Sequence, residues 1–172
     1  MLKLIGAVLI LISTTMTGFR IARRYAERPR QIRQLRQALS LLETDIAYGS
    51  RTLTEAFRWI GKREREPVAS LFSSCVRYLE TLDGASTYQC WKKAVEETWP
   101  HTAMGVPERE VMIDFGKTLG LSDRQDQLQH LRMAVANLKV EEDHARDEQV
   151  RYEKMCKTLG FLAGALLVIL MI

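Results

Sequence analysis

Ser122-Asp-Arg-Gln-Asp-Gln-Leu-Gln-His-Leu-Arg-Met-Ala-Val-Ala-Asn-Leu138 opens a run that reaches Ile172 with no proline and with glycine only at Gly160 and Gly164. Ser122 followed three residues later by Gln125 has the spacing of a capping box, so a helix is expected to start here. Leu128, Leu131, Val135, Leu138, Ala145 and Tyr152 recur at three-, four- and seven-residue steps, which is one face of a helix. At Leu159 the pattern changes: Leu159-Gly-Phe-Leu-Ala-Gly-Ala-Leu-Leu-Val-Ile-Leu-Met-Ile172 is apolar on every side. At ~1.5 Å per residue the whole run suits one rod of roughly 75 Å. It would be amphipathic first, against a folded body, and then sunk in a bilayer.

The other end of the chain repeats the theme. Leu4 to Gly18 is apolar or small throughout, and Arg20, Arg23, Arg24, Arg28, Arg30, Arg33 and Arg36 follow with only Glu27 against them. A cleaved signal peptide has a similar apolar length, and Ser13 to Thr17 supplies small residues of the kind found at cleavage sites. Seven arginines directly downstream oppose translocation, because basic residues beside a membrane segment stay cytoplasmic. Nothing like a nucleic-acid fold or interleaved aromatics accompanies the basic run, so nucleic acid is not an expected partner. A retained transmembrane helix with a cytoplasmic C-terminal flank accounts for both features. Arg146, Arg151, Lys154 and Lys157 precede the C-terminal apolar segment in the same way. The middle of the chain is therefore expected in the cytoplasm. Leu159 to Ile172 is shorter than the ~20 residues that usually span, so snorkelling by Lys154 and Lys157 or local bilayer thinning is needed. A re-entrant hairpin is the alternative.

Between these ends the reading is entirely helical. Ile32, Leu35, Leu39, Leu42 and Ile46 mark a first helix that Gly49 ends, and Pro29 is expected to separate it from the membrane helix, with one continuous kinked helix as the alternative. Leu53, Ala56, Phe57 and Ile60 mark a second helix over Thr52 to Lys62. A third starts at Glu66-Pro67, with Pro at its first position, and carries Val68, Leu71, Phe72, Cys75, Tyr78, Leu79 and Leu82. Ser86 or Thr87 caps a fourth, through Trp91, Ala94, Val95 and Trp99. Pro107-Glu108-Arg109-Glu110 opens a fifth, with acids where the helix dipole favours them. The run from Ser122 is the sixth. The fold expected is all-α, a six-helix antiparallel bundle flanked by N- and C-terminal transmembrane helices. Its parts are 1–28 (membrane helix and basic flank), 29–157 (bundle) and 158–172 (C-terminal membrane segment continuous with the last helix).

Catalytic chemistry finds little support. His101, His130 and His144 are the three histidines. Glu141-Glu142-Asp143-His144 holds one Glu-x-x-His, the spacing of di-iron bundles, but such a site needs a second copy and two more inward glutamates. No phosphate loop occurs, and Cys75, Cys90 and Cys156 show neither a disulfide framework nor zinc spacing. No catalytic, cofactor or metal residues are expected. The acids Glu141 to Asp143, Asp147 and Glu148 read as a solvated face, or as a docking surface for a basic partner. Trp91 reads as core; Trp59 is left open between core and partner surface.

In this order the chain resembles the stage III sporulation protein AB family. The residues that carry the resemblance begin with Arg33 and Leu35 after the membrane segment, then Leu42-Glu43-Thr44-Asp45-Ile46-Ala47-Tyr48-Gly49, Leu53 and Trp91. They continue with Phe115-Gly116-Lys117-Thr118-Leu119-Gly120, Ser122-Asp123, Gln127, Tyr152 and Leu159-Gly160. That family is in turn similar to the cytoplasmic six-helix domain of the inner-membrane platform proteins of type II secretion and type IV pili. Those platforms carry two such domains and this chain has room for one, which points to self-association. The resemblance implies a non-enzymatic platform in a secretion-like channel between mother cell and forespore. It also implies the mother-cell membrane around the forespore as the location and a cytoplasmic secretion-type ATPase as partner. The alternative class is a membrane-anchored signalling bundle, although almost no residues are left across the membrane to sense anything.

Overall fold

The computed structural model describes residues 2–49, 51–81, 84–120 and 123–171, with side chains in the two terminal helices from 23 onward and up to 152, and at 155. Among the described residues there are six α-helices: α1 (Leu2–Tyr48), α2 (Leu53–Arg63), α3 (Val68–Thr81), α4 (Thr87–Thr98), α5 (Val106–Thr118) and α6 (Arg124–Met171). A 3-10 turn, Trp99–His101, sits in the loop between α4 and α5. The helices pack as a closed ring in chain order, with α1 and α6 in the most extensive contact.

The boundaries follow from local chemistry. Thr52 caps α2 and exchanges hydrogen bonds with Glu55, and Ser86 does the same for α4 with Gln89, both complete capping boxes. The α1–α2 connection turns at Gly49, whose φ of +62° is a left-handed conformation that a side chain would strain. Three starts differ from the sequence expectation. Pro67 precedes α3 rather than opening it, accepting a hydrogen bond from the Leu71 N–H. Helix α5 begins one residue before Pro107, capped through the Glu108 carboxylate, which accepts from the Gly105 N–H. Helix α6 begins at Arg124, where the Asp123 carbonyl accepts from the Gln127 N–H; Ser122, like Leu82 after α3, lies outside the described residues.

Pro29 does not end a helix. It lies inside α1, which is continuous from Leu2 to Tyr48. Proline costs an interior helix one hydrogen bond and some crowding; here it is buried, and side chains on both sides of it are fastened to α6. The expected membrane helix and first bundle helix are thus one element, as are the last bundle helix and the C-terminal apolar segment. Among the described residues no helix is long and apolar enough to cross a membrane. The two proposed spans, Leu4 to Gly18 and Leu159 to Ile172, fall where side chains are not described.

The core is built from the residues that the helical periodicities select. Ile32, Leu35, Leu39 and Leu42 of α1, Phe57 and Ile60 of α2, Phe72 of α3 and Leu131 and Leu138 of α6 are sealed from solvent. Trp91 is the hub: its ring lies 5.4 Å from Phe57, 5.8 Å from Phe72 and 5.6 Å from Phe115. Its indole N–H donates to the Met112 carbonyl at 2.7 Å, which satisfies the one polar atom that such a burial strands.

Candidate functional site: an ionic clamp between the first and last helices

The charged residues that the sequence presents as two separate surfaces meet each other. Arg28, one turn below the Tyr25–Tyr152 stack, places Nε 2.8 Å from Oε1 of Glu108 and Nη1 2.7 Å from Oε2 of Glu148. Its Nη2 is 3.8 Å from Glu141. Two turns further along α1, Arg33 and Arg36 converge on Glu142 at 2.8 and 2.5 Å. Helices α1, α5 and α6 are thereby joined by one line of guanidinium–carboxylate contacts. Tyr25 and Tyr152 close it at the end where both helices run on toward the apolar termini, their rings 3.9 Å apart.

Burial decides how much these contacts matter. Glu108 is fully buried and Glu142 is 3% exposed. An exposed ion pair contributes about 0–1 kcal/mol, whereas removing one partner of a buried pair costs about 3–5 kcal/mol because the other charge is stranded. Glu108 has both oxygens occupied, one by Arg28 and the other by the Gly105 N–H at 2.7 Å. The same carboxylate therefore caps α5 and locks it to α1. Gln31 adds a second tie, its Oε1 accepting from the Ala103 N–H at 2.7 Å. For Glu142, burial pushes the carboxyl pKa up, but hydrogen bonds from Arg33 and then Arg36 outweigh it and hold the group below its usual range.

The acidic cluster is therefore not the uniformly solvated face that its composition suggests. Glu141, Glu142 and Glu148 face the chain's own arginines, while Asp143 and Asp147 remain exposed. The arginine run divides likewise. Arg28, Arg33 and Arg36 point into the clamp; Arg24 and Arg30 are exposed. Composition could not separate these roles, but the sequence held the signal: Arg28, Ile32, Leu35, Arg36 and Leu39 share one helical face.

Other singled-out residues take bland positions. Trp59 is half-buried, with the guanidinium groups of Arg51 and Arg63 over its ring, 4.7 and 5.1 Å from its centre. His144 is exposed on α6, and no group of three His, Cys, Asp or Glu side chains suited to a metal occurs among the described residues. Cys75 and Cys90 are buried; Cys156 lies outside the described side chains. The surface hollows are shallow and open, one lined by Lys92, Arg109 and Asp114 and another by Leu128, Arg132 and Met133.

Comparison with known proteins gives a consistent result. The family model for stage III sporulation protein AB matches residues 3–172. Stage III sporulation protein AB of Bacillus subtilis (strain 168) is 45% identical over 172 residues, 99% of each chain. A solved structure of stage III sporulation protein AB (SpoIIIAB) superposes with a TM-score of 0.69 at 38% identity, covering 73% of this chain and 98% of that one.

Proposed function

We propose, for a chain that belongs to the stage III sporulation protein AB family, that it works in the sporulating cell as a non-catalytic membrane platform. The observation that carries this reading is the clamp. Two nearly sealed carboxylates, Glu108 of α5 and Glu142 of α6, are held by arginines of α1, so that the first and last helices, with α5 beside them, form one stiff unit. A unit fastened by buried, directional contacts transmits displacement; it does not open to form a substrate site.

In this reading Leu4 to Gly18 and Leu159 to Ile172 enter the same bilayer, the mother-cell membrane around the forespore. The basic flanks keep residues 29–157 in the cytoplasm. There the bundle meets a secretion-type ATPase and, by self-association, forms the base of a secretion-like channel. The test is co-purification of the full chain, in lipid nanodiscs, with the ATPase. Retention that depends on the bundle surface and not on nucleotide hydrolysis is expected. No detectable affinity at micromolar concentrations would remove ATPase coupling from the proposal.

A further inference from the structure

Several arginines that the clamp does not use lie beside it along α1 and α6. Arg24 and Arg30 on α1 and Arg151 on α6 are exposed, and none of them makes an ion pair among the described residues. Arg24 and Arg151 each adjoin a member of the Tyr25–Tyr152 stack, and Arg30 lies two residues past Arg28 in the clamp. Two carboxylates in the same band are already engaged, Glu27 by Arg23 and Glu148 by Arg28, and Asp147 is the exposed acid there among the described residues.

Exposed apolar side chains occur on the elements that meet there. Val106 is 62% exposed, Val150 50% and Met155 48%, three of the six large apolar side chains exposed among the described residues. Val106 belongs to this band because its neighbour Gly105 is bonded to Glu108, the partner of Arg28. Exposed apolar tips on or beside the helices that carry these unpaired guanidinium groups suit neither free water nor a dry protein interface. They suit the headgroup region of a bilayer, where phosphate meets the cations and acyl chains meet the tips.

We propose that Arg24, Arg30 and Arg151, together with Val106, Val150 and Met155, form a collar that binds anionic phospholipid headgroups. This rests on the membrane reading above and adds a lipid preference to it. The collar is separate from the clamp: its arginines face outward, so neutralising them leaves the internal pairs of Arg28, Arg33 and Arg36 in place. It sets the depth at which the stiff helix pair meets the bilayer.

The test uses the purified full chain reconstituted into vesicles of equal parts phosphatidylglycerol and phosphatidylcholine. Flotation reports membrane attachment, and native mass spectrometry of the ejected protein reports the lipids retained. The expected result is attachment with phosphatidylglycerol favoured on the order of tenfold, since each surface arginine favours an anionic leaflet several-fold. The combined variant R24Q/R30Q/R151Q should still float and fold but retain the two lipids about equally, and R24K/R30K/R151K should restore the preference. A wild-type chain that floats and retains both lipids alike overturns the collar and leaves the platform reading standing. A chain that does not float with vesicles overturns both.

Discussion

Gly116 shows how tightly single residues are held. It sits in α5 against the hub, and a Cβ built there would lie 2.2 Å from Trp91 Cδ1. Alanine ordinarily gains about 1 kcal/mol over glycine inside a helix, but forcing an extra carbon into a packed core costs about 1–3 kcal/mol. Here the contact is against a fully buried ring on a neighbouring helix, so the packing cost wins. Gly116→Ala is expected to lower stability by about 1–2 kcal/mol in urea denaturation, and Trp91→Phe in the same chain should recover part of it. Cys75 gives a second check. Burial, with the neighbouring Cys90 adding to it, pushes its thiol up to about 12, so maleimide should leave it unmodified at neutral pH until the bundle unfolds. Rapid labelling of Cys75 in the native chain would show a looser core. Trp91 as core was legible from helical spacing alone; the close approach that makes Gly116 necessary was not, because it depends on two helices that are distant in sequence.

At the scale of elements, the clamp predicts a pH dependence. The folded-state pKa of Glu142 lies below its ordinary 4.5. Its contribution is therefore fully present above the unfolded value and is lost as pH falls through the folded one. Thermal unfolding should be nearly flat from pH 7 to about 5 and then weaken as the solution becomes more acidic. Glu142→Gln should start lower, by about 1–3 kcal/mol given that Arg33 is half-exposed, and should lose less on acidification. An unchanged acid response in Glu142→Gln would show that the clamp is not the group being titrated. Arg28→Ala with Glu108→Gln should form a coupled pair, with an interaction energy of about 1–3 kcal/mol in a double-mutant cycle. Six helices, their stripes and two of their caps could be read from the sequence because periodicity and capping are local signals. The clamp could not, since Arg28 and Glu108 are 80 residues apart and Arg33 and Glu142 are 109 apart. Pro29 misled for a related reason: its local signal says break, and tertiary fastening on both sides overrides it.

For the whole molecule, the clamp brings α1 and α6 together along the band from Tyr25 to Arg36. The two apolar ends then leave the body at the same place. Under the proposed function, that arrangement gives one stiff helix pair that presents the bundle on a single side of one membrane. The most direct test is the accessibility of a single cysteine in intact, non-sporulating cells, where the chain enters the plasma membrane and the far side of that membrane faces the medium. Lys62→Cys suits this, in a chain whose native cysteines are replaced by alanine; Lys62 is exposed in the last turn of α2, whereas Ser86 is needed as the cap of α4. A membrane-impermeant maleimide should label the Lys62→Cys chain only after lysis, with the bundle in the cytoplasm and within reach of an ATPase. Labelling of unbroken cells from outside would reverse the orientation and contradict the account.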